Sequence, residues 1–224
     1  MNEGATIAVL LVDDHAVVRE GYRRLLEATG RIHVCAEAAD GEEAYRRYTE
    51  QRIDVVVMDI TLPRISGLEA MRRILARDAR ARVLVFSMHE DAVFVSRALE
   101  GGAWGYLTKS SAPEVLVEAV LAVAGGKRYL GPDLTPARDL ETRRVLSAEI
   151  ARLSEREFEI FRLLAEGNGA ARISELLNLT PKTVANYQSN IRQKLGVENT
   201  AQLVHLAIDC GVLEQRPRDA AGSA

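Results

Sequence analysis

Residues 55–63 of the chain read Val-Val-Val-Met-Asp-Ile-Thr-Leu-Pro, and this stretch decides the fold that we expect. Four consecutive apolar residues lead directly into Asp59, and Pro63 closes the stretch. A short apolar run bounded by such breakers is typical of a strand buried on both faces of a parallel sheet. Asp59 is therefore expected at the carboxyl end of a central strand, where open α/β sheets carry their binding sites. An isolated carboxylate there is costly, so it needs a cation or solvent as a partner.

The overall composition is that of a folded protein with one large or two small domains. The 224 residues are 47% hydrophobic and 27% charged, and the net charge of -3 excludes a generally basic surface. Any contact with DNA must then come from the local placement of basic and polar side chains. Cys35 and Cys210 show no metal-ligand spacing, which favours reduced thiols and a cytoplasmic protein. Residues 1–6 lack the pattern of a signal peptide, and no apolar run approaches the roughly 20 residues of a membrane span.

Strands and helices alternate strictly through the first half of the sequence. Apolar runs predict strands at residues 7–12, 32–36, 55–58, 83–86 and 104–107. Helical spacing of apolar residues predicts helices at residues 16–28, 41–48, 67–76, 91–99 and 113–124. Such alternation indicates an α/β doubly wound fold, with a five-stranded parallel sheet between two layers of helices. The common strand order 2-1-3-4-5 makes the first and third strands neighbours.

Polar residues follow four of the five predicted strands. Asp13 and Asp14 come after the first strand, Asp59 after the third, Ser87 after the fourth and Lys109 after the fifth. Each of them alone is commonly a turn or surface residue, but parallel strands bring all of them to one edge of the sheet. Three carboxylates that meet there repel one another unless a hard cation such as Mg2+ joins them. A metal-bound acidic pair, a nucleophilic carboxylate, a hydroxyl and an ammonium group are together suited to phosphoryl transfer.

A second, helical pattern follows the first domain. Prolines, glycine and a charge-rich run predict a linker over residues 129–148, and residues 149–216 predict a small all-α domain. Ser154 and Glu157 have the spacing of a capping box at the start of its first helix. Thr180, followed by proline, opens a helix that ends before a glycine, and Thr200 is expected to cap the last helix.

The helix expected over residues 181–195 has two different faces. Its apolar residues recur at spacings of three and four: Val184, Tyr187, Ile191 and Leu195. Lysine and asparagine on the other face are suited to guanine and adenine edges in the major groove of DNA. The candidate DNA contacts are Lys182, Thr183, Ala185, Asn186, Ser189, Arg192 and Lys194. On the pattern alone, an ordinary solvated face explains these residues equally well.

Four motifs of the first domain, which we place at residues 5–128, resemble those of a response-regulator receiver domain. They are Val-Asp-Asp-His at 12–15, Met-Asp-Ile-Thr-Leu-Pro-Arg-Ile-Ser-Gly at 58–67, Phe-Ser-Met-His at 86–89 and Gly-Tyr-Leu-Thr-Lys at 105–109. The resemblance implies a flavodoxin-like fold in which Asp59 accepts a phosphoryl group from a sensor histidine kinase.

The same resemblance implies a metal site and a switch. The implied ligands of Mg2+ are Asp13, Asp14, Asp59 and the backbone carbonyl of Thr61. The residues implied for phosphate binding and switching are Ser87, Tyr106 and Lys109. In such a switch the Ser87 hydroxyl moves to the phosphoryl oxygen and leaves space for the Tyr106 ring.

Residues 149–216 resemble a LuxR-type helix-turn-helix domain. The matching stretches are Leu-Ser-Glu-Arg-Glu-Phe-Glu-Ile at 153–160, Ala-Glu-Gly-Asn at 165–168 and the whole of residues 180–197. The complete architecture resembles NarL/FixJ-type response regulators, which implies that the third helix enters the major groove of double-stranded promoter DNA. Position 185 is alanine, where many relatives carry a basic residue.

Together the resemblances imply a transcription regulator that is controlled by phosphorylation of Asp59. We expect no dedicated enzyme, and we expect phosphorylation to favour a homodimer formed through the helices at 91–99 and 113–124. One alternative is a receiver-type switch that acts through partner binding without phosphorylation. Another is a magnesium-dependent phosphatase on a similar fold, which requires a general acid where Thr61 stands.

Overall fold

The computed structural model describes residues 6–90, 92–134, 150, 152–210 and 212–213. These residues form an α/β domain and a smaller helical domain. Residues 135–148 of the linker that we predict lie outside the described residues. Within the described part of the chain, no helix is both long and apolar enough to cross a lipid bilayer.

Six parallel strands form a single sheet in the order β2-β1-β3-β4-β5-β6. The strands are β1 (Ile7–Val12), β2 (Ile32–Ala38), β3 (Val55–Met58), β4 (Val83–Ser87), β5 (Gly105–Thr108) and β6 (Tyr129–Leu130). The expected order of the first five strands is confirmed. β3 is fully buried along its length, as its run of apolar residues predicts.

The prediction of five strands is wrong, because β6 adds a sixth at the edge beside β5. Its two residues fall within the segment that we assigned to the linker. The backbone N–H of Tyr129 donates to the carbonyl oxygen of Trp104 at 3.1 Å, and that of Gly131 donates to Tyr106 at 2.9 Å. A two-residue strand is too short to show any periodicity, so the sequence pattern does not reveal it.

Five helices cover the two faces of the sheet. They are α1 (Ala16–Glu27), α2 (Gly41–Glu50), α3 (Gly67–Arg77), α4 (Ala92–Glu100) and α5 (Pro113–Ala124). On one face α1 and α5 bury residues such as Leu26 and Val120 against the strands. On the other face α2, α3 and α4 bury residues such as Met71 and Phe94. The sheet is therefore covered on both sides, as strict strand–helix alternation predicts.

The helical domain contains α6 (Glu155–Ala165), α7 (Ala170–Leu177), α8 (Pro181–Leu195) and α9 (Thr200–Asp209). The capping box of α6 is confirmed, since the Ser154 hydroxyl accepts from the Glu157 N–H and the Glu157 carboxylate accepts from the Ser154 N–H. The prediction that Thr200 caps α9 is wrong by one residue. The Asn199 side chain accepts from the N–H of Gln202 at 3.0 Å, and asparagine is as good a cap as threonine.

The helical domain packs against α4 of the α/β domain. The ring of Phe94 lies 5.2 Å from that of Phe158 in α6, in an edge-to-face arrangement. One apolar cluster, which includes these two residues, continues from the α/β domain into the helical domain. Part of the surface that we expected to form a dimer is thus covered by the chain's own second domain.

Candidate acidic site and nucleic-acid interface

The register of the sheet brings the predicted polar residues to one edge. Val12 pairs with Met58 at the ends of β1 and β3, so Asp13 and Asp59 follow side by side. The N–H of Asp59 donates to the carbonyl oxygen of Val12 at 3.0 Å. Ser87 pairs with Thr108 at the ends of β4 and β5, and Lys109 comes next. Rigid inner strands therefore position four of the predicted site residues.

The ammonium group of Lys109 lies between two buried carboxylates. Its Nζ is 2.5 Å from Oδ2 of Asp13 and 2.6 Å from Oδ2 of Asp59. Burial raises the pKa of Asp59, since removal from water outweighs the attraction of Lys109. Burial alone lowers the pKa of Lys109, but the carboxylates of Asp59 and Asp13 outweigh it and the pKa is raised. The lysine is thus held as a cation inside the acidic site.

Asp14 stands at the open side of this site, together with His15. Nδ1 of His15 lies 2.7 Å from a carboxylate oxygen of Asp14, and the backbone N–H of His15 donates to Asp13 at 2.8 Å. Ligand atoms of these three residues all lie within 4.8 Å of one another. We interpret His15 from the sequence only as the residue that begins α1, and it does occupy the N-cap. Oxygen-rich groups of this kind suit a hard divalent cation.

The loop after β3 returns close to Asp59. The N–H of Thr61 donates to Oδ1 of Asp59 at 3.2 Å, and the N–H of Gly67 donates to the carbonyl oxygen of Ile60 at 2.9 Å. A Cβ atom at Gly67 would overlap the backbone carbonyl oxygen of Asp59. Glycine at this position therefore allows the loop to close over the site.

Ser87 and Tyr106 meet at a residue that sequence reasoning did not single out. Both side chains are fully buried. The Ser87 hydroxyl oxygen accepts from the backbone N–H of His89 at 3.2 Å, and the Tyr106 hydroxyl donates to the backbone carbonyl of His89 at 2.8 Å. The Tyr106 ring already lies inside the domain in this structure, so its movement relative to Ser87 stays a prediction.

His89 itself is packed between two side chains. Its Nε2 lies 3.3 Å from the Thr61 hydroxyl, and its ring stacks on Phe94 with centroids 4.0 Å apart and planes 8° from parallel. Burial lowers the pKa of His89 to about 4, with smaller contributions from the cations Arg162 and Lys109. The imidazole is therefore neutral near neutral pH. Its position two residues after Ser87 was the one available signal in the sequence.

The structure places α8 with its apolar face in the helical core and its polar face in solvent. Val184, Ile191 and Leu195 are buried. The residues predicted to read bases are all exposed: Lys182, Ala185, Asn186 and Ser189. The first domain does not cover this face. The face is therefore free to enter a groove of DNA.

Two of the other candidate DNA contacts have partners within the domain. The Lys194 ammonium lies 2.6 Å from a carboxylate oxygen of Glu157, the residue that completes the capping box. The Thr183 hydroxyl lies 2.8 Å from that of Thr180, the N-cap of α8. Arg192 is half-buried. Contact of these three residues with DNA stays a prediction.

Known family models match both parts of this geometry. The model of the response regulator receiver domain matches residues 9–121, and that of the luxR family of bacterial regulatory proteins matches residues 151–207. The chain belongs to the response regulators, in the class that joins a receiver to a LuxR-type helix-turn-helix. Within that class it is a transcription regulator of the NarL/FixJ type. The flavodoxin-like receiver and the DNA-binding domain that we predict are thereby confirmed.

Relatives are similar along nearly the whole chain. It is 39% identical over 208 residues to response regulator UvrY of Escherichia coli strain K12, covering 92% of this chain and 95% of that protein. It is 40% identical over 211 residues to transcriptional activator protein ExaE of Pseudomonas putida, covering 92% and 98%. RcsB from Salmonella enterica serovar Typhimurium, solved on promoter DNA with the phosphomimetic BeF3-, has a TM-score of 0.62 at 26% identity, covering 90% of this chain and 98% of that one.

Proposed function

We propose that a sensor histidine kinase switches this regulator by transferring a phosphoryl group to Asp59. The observation that carries the proposal is the Lys109 ammonium group, 2.5 Å from Asp13 and 2.6 Å from Asp59. A phosphoryl group on Asp59 brings negative charge to a place where a fixed cation already stands. Such preorganised charge stabilises a transition state more than flexible groups in water do.

The reaction follows from the arrangement of the side chains. An Asp59 carboxylate oxygen attacks the phosphorus while the bond from phosphorus to the kinase imidazole breaks, and the leaving imidazole takes up a proton from solvent. The product is an acyl phosphate, with Lys109 and the Ser87 hydroxyl as the residues that we assign to its oxygens. Water then slowly hydrolyses it, so the chain accepts and loses a phosphoryl group without being a dedicated enzyme.

The donor set at this edge fits Mg2+. We assign the metal to the carboxylates of Asp13, Asp14 and Asp59 and to the backbone carbonyl of Thr61. Carboxylates with open positions for water are what Mg2+ prefers. When bound, the cation neutralises charge on the group that is transferred. Lys109 shares that task, because its ammonium already bridges Asp13 and Asp59.

Large apolar side chains beside the acidic edge support a protein partner. Val17 in the first turn of α1 is 87% exposed, and Met88 directly after β4 is 69% exposed. Apolar groups at the rim of a polar site are suited to contact with another protein. This surface is where we place the kinase during phosphoryl transfer.

The exposed polar face of α8 supports recognition of double-stranded promoter DNA. We place that recognition in the cytoplasm because the helical domain matches the luxR family of bacterial regulatory proteins. Lys182 and Asn186 lie one turn apart and both face solvent. We propose that a phosphorylation-dependent homodimer places two such helices on two half-sites of one operator. Two-fold symmetry of the protein then matches two-fold symmetry of the DNA.

The direct test is phosphoryl labelling of the full chain. With Mg2+ and a small-molecule donor such as acetyl phosphate, the wild type is expected to take up one phosphoryl group. Asp59→Asn keeps the shape of the side chain and removes the nucleophile, so labelling is expected to disappear. Labelling of the variant at the wild-type level would place the phosphorylation site on another residue.

A further inference from the structure

A series of three aromatic rings in contact with one another connects the acidic site with the DNA-binding domain. The N–H of Thr61 bonds Asp59, and the Thr61 hydroxyl contacts the His89 ring. The His89 ring is stacked on Phe94, and Phe94 packs edge-to-face with Phe158 in α6. Phe94 and Phe158 are buried, so the series is continuous from the acidic loop to the other domain.

Arg97 fastens the two domains beside this series. It lies one turn after Phe94 on α4 and is only 8% exposed. Its guanidinium donates to the carbonyl oxygens of Ile150 at 3.0 Å and Leu153 at 2.9 Å, just before α6. Its Cζ also stands 4.3 Å from the centroid of the Phe158 ring. One receiver side chain thus fixes both the entry to α6 and its first aromatic residue.

Helix α6 also closes over the loop that follows Asp59. The guanidinium of Arg156 donates to the carbonyl oxygen of Arg64 in that loop at 2.7 Å. A cavity of about 20 Å³ remains at the seam, and it has room for about one water molecule. Thr61 and His89 line it from the receiver, and Arg162 lines it from α6.

We propose that the docked DNA-binding domain is a wall of the phosphorylation site, with His89 as the positioning residue that it holds in place. The inference rests on the proposed role of Asp59 and adds a means of regulating it. Docking holds the His89 ring against Thr61, and Thr61 in turn is bonded to Asp59. Undocking exposes Phe94, frees the His89 ring and opens a second approach to the carboxylate, beside the loop that carries Thr61.

The direction of the effect follows from access. An opened approach admits small phosphoryl donors to Asp59 more readily, and it equally admits water to the acyl phosphate. Both uptake and loss of the phosphoryl group are therefore expected to accelerate when the domains separate. The residues of α8 that we predict to read bases, Lys182, Ala185, Asn186 and Ser189, form its reading face and are exposed in the docked arrangement. Docking therefore leaves this face uncovered, and its effect falls on the chemistry of Asp59.

The experiment uses the full chain and two grades of substitution at Arg97. Arg97→Ala removes the hydrogen bonds to Ile150 and Leu153. Arg97→Lys keeps the charge but lacks the planar guanidinium that donates to both carbonyl oxygens at once. Arg73→Ala is the matched control, because Arg73 is half-exposed on α3 and pairs with Glu69 of the same helix. Amide hydrogen exchange in α4 and α6 reports docking. Acetyl phosphate with Mg2+ gives the uptake rate, and removal of the donor gives the rate of loss.

Both Arg97 variants are expected to exchange faster in α4 and α6. They are expected to gain and lose the phosphoryl group at least about five-fold faster than wild type, the lower end of typical coupling between sites. Arg73→Ala is expected to match wild type in all three measurements. His89→Phe keeps the stack on Phe94 but loses the contact with Thr61, so both rates are expected to rise while exchange in α6 stays unchanged.

Three outcomes are decisive. Faster exchange in α4 and α6 with unchanged phosphorylation rates would contradict the inference that the docked domain limits access to Asp59. Unchanged rates in His89→Phe would remove His89 from its positioning role. No label on wild type, or equal label on Asp59→Asn, contradicts the proposed phosphorylation site instead of this inference. Arg97→Lys keeps the test valid should Arg97→Ala fail to fold.

Discussion

The acidic edge of the receiver and the reading face of α8, for which we propose phosphate-bearing partners, are built in opposite ways. At the acidic edge, Asp13 and Asp59 are buried, and both are bonded to the half-buried Lys109. On the reading face, Asn186 and Ser189 are exposed and neutral. Lys182, at the start of the helix, brings a positive charge to this face. One site has its charges fixed in advance, whereas the other presents mostly neutral groups to solvent.

The difference matches the two tasks. Chemistry on a small group gains from charges that need no rearrangement, and buried strands hold such charges in place. Reading a sequence needs side chains that reach base edges, while phosphate contacts only position the protein. Several basic residues of the helical domain are paired internally, among them Arg162 with Glu166 and Arg172 with Glu175. A modest electrostatic contribution to DNA affinity is therefore expected from this domain.

The largest effect is expected from removing the fixed cation of the acidic edge, Lys109. Lys109→Ala leaves the carboxylates of Asp13 and Asp59 without their shared partner and the acyl phosphate without a fixed positive charge. Phosphoryl uptake is expected to slow by about 100-fold or more, as for the loss of one preorganised donor elsewhere. The rate with acetyl phosphate and Mg2+ measures it. Lys127→Ala, an exposed lysine beyond the end of α5, is the control. A rate within a factor of about two of wild type would mean that the metal alone supplies the charge.

The next effect concerns the backbone that shapes the same edge. Gly67→Ala forces a Cβ atom onto the carbonyl oxygen of Asp59, and the unfolding free energy is expected to fall by about 1–3 kcal/mol. Gly21→Ala in α1 is a matched control, since nothing lies within 4 Å of its added Cβ. Urea unfolding of the two variants gives the comparison. Equal stability of both would show that the loop after Asp59 moves without cost.

A comparable but purely functional effect is expected on the reading face. Asn186→Ala removes an amide that can pair with an adenine, and discrimination at one base position is expected to fall by about 1–3 kcal/mol. Fold stability is expected to be unchanged, because the side chain is exposed. Binding of the full phosphorylated chain to an operator and to single-base variants of it gives the discrimination. Asp209→Ala, exposed on α9, serves as the control. Equal loss of affinity for all sequences would assign Asn186 to phosphate contact.

The smallest effect is expected at Lys194, a candidate DNA contact that also takes part in an internal ion pair. Lys194 was predicted to contact DNA, but its ammonium is bonded to the buried carboxylate of Glu157. Burial raises the pKa of Glu157, and the bonds from Lys194 and Ser154 outweigh it, so the pKa is lowered overall. Lys194→Ala is expected to reduce stability by less than about 1 kcal/mol, because the lysine is partly exposed. A fall in the salt slope of DNA binding by about one unit, without loss of stability, would instead make Lys194 a phosphate contact.

The acidic edge was largely predictable from sequence because its residues stand at strand ends. Asp13, Asp59 and Lys109 each follow a strand that can be predicted from a run of apolar residues. Because the strands are parallel, their carboxyl ends lie at the same edge of the sheet. The Ser87 hydroxyl was expected from its strand end, whereas the switching roles of Ser87 and Tyr106 came from the resemblance.

Other features depend on contacts between distant parts of the chain, and no pattern in the sequence carries them. Arg97 looks like a helix-surface arginine until the carbonyl groups of Ile150 and Leu153 are placed beside it. His89 looks like a loop residue until Phe94 and Thr61 enclose its ring. The reading face of α8 was found from its spacing, but which exposed residue touches which base depends on DNA geometry that the chain alone does not contain.

The docking of α6 on α4 has a consequence for assembly that is best stated as competition. A second copy of the chain that approaches through α4 must displace a domain that is covalently attached and therefore present at an effective concentration on the order of millimolar. At micromolar protein, the attached domain wins that competition unless it first separates. A dimer built on α5 alone does not require Phe94 and Phe158 to separate. The pair of aromatic rings, Phe94 and Phe158, thus sets the protein concentration at which pairing through α4 becomes accessible.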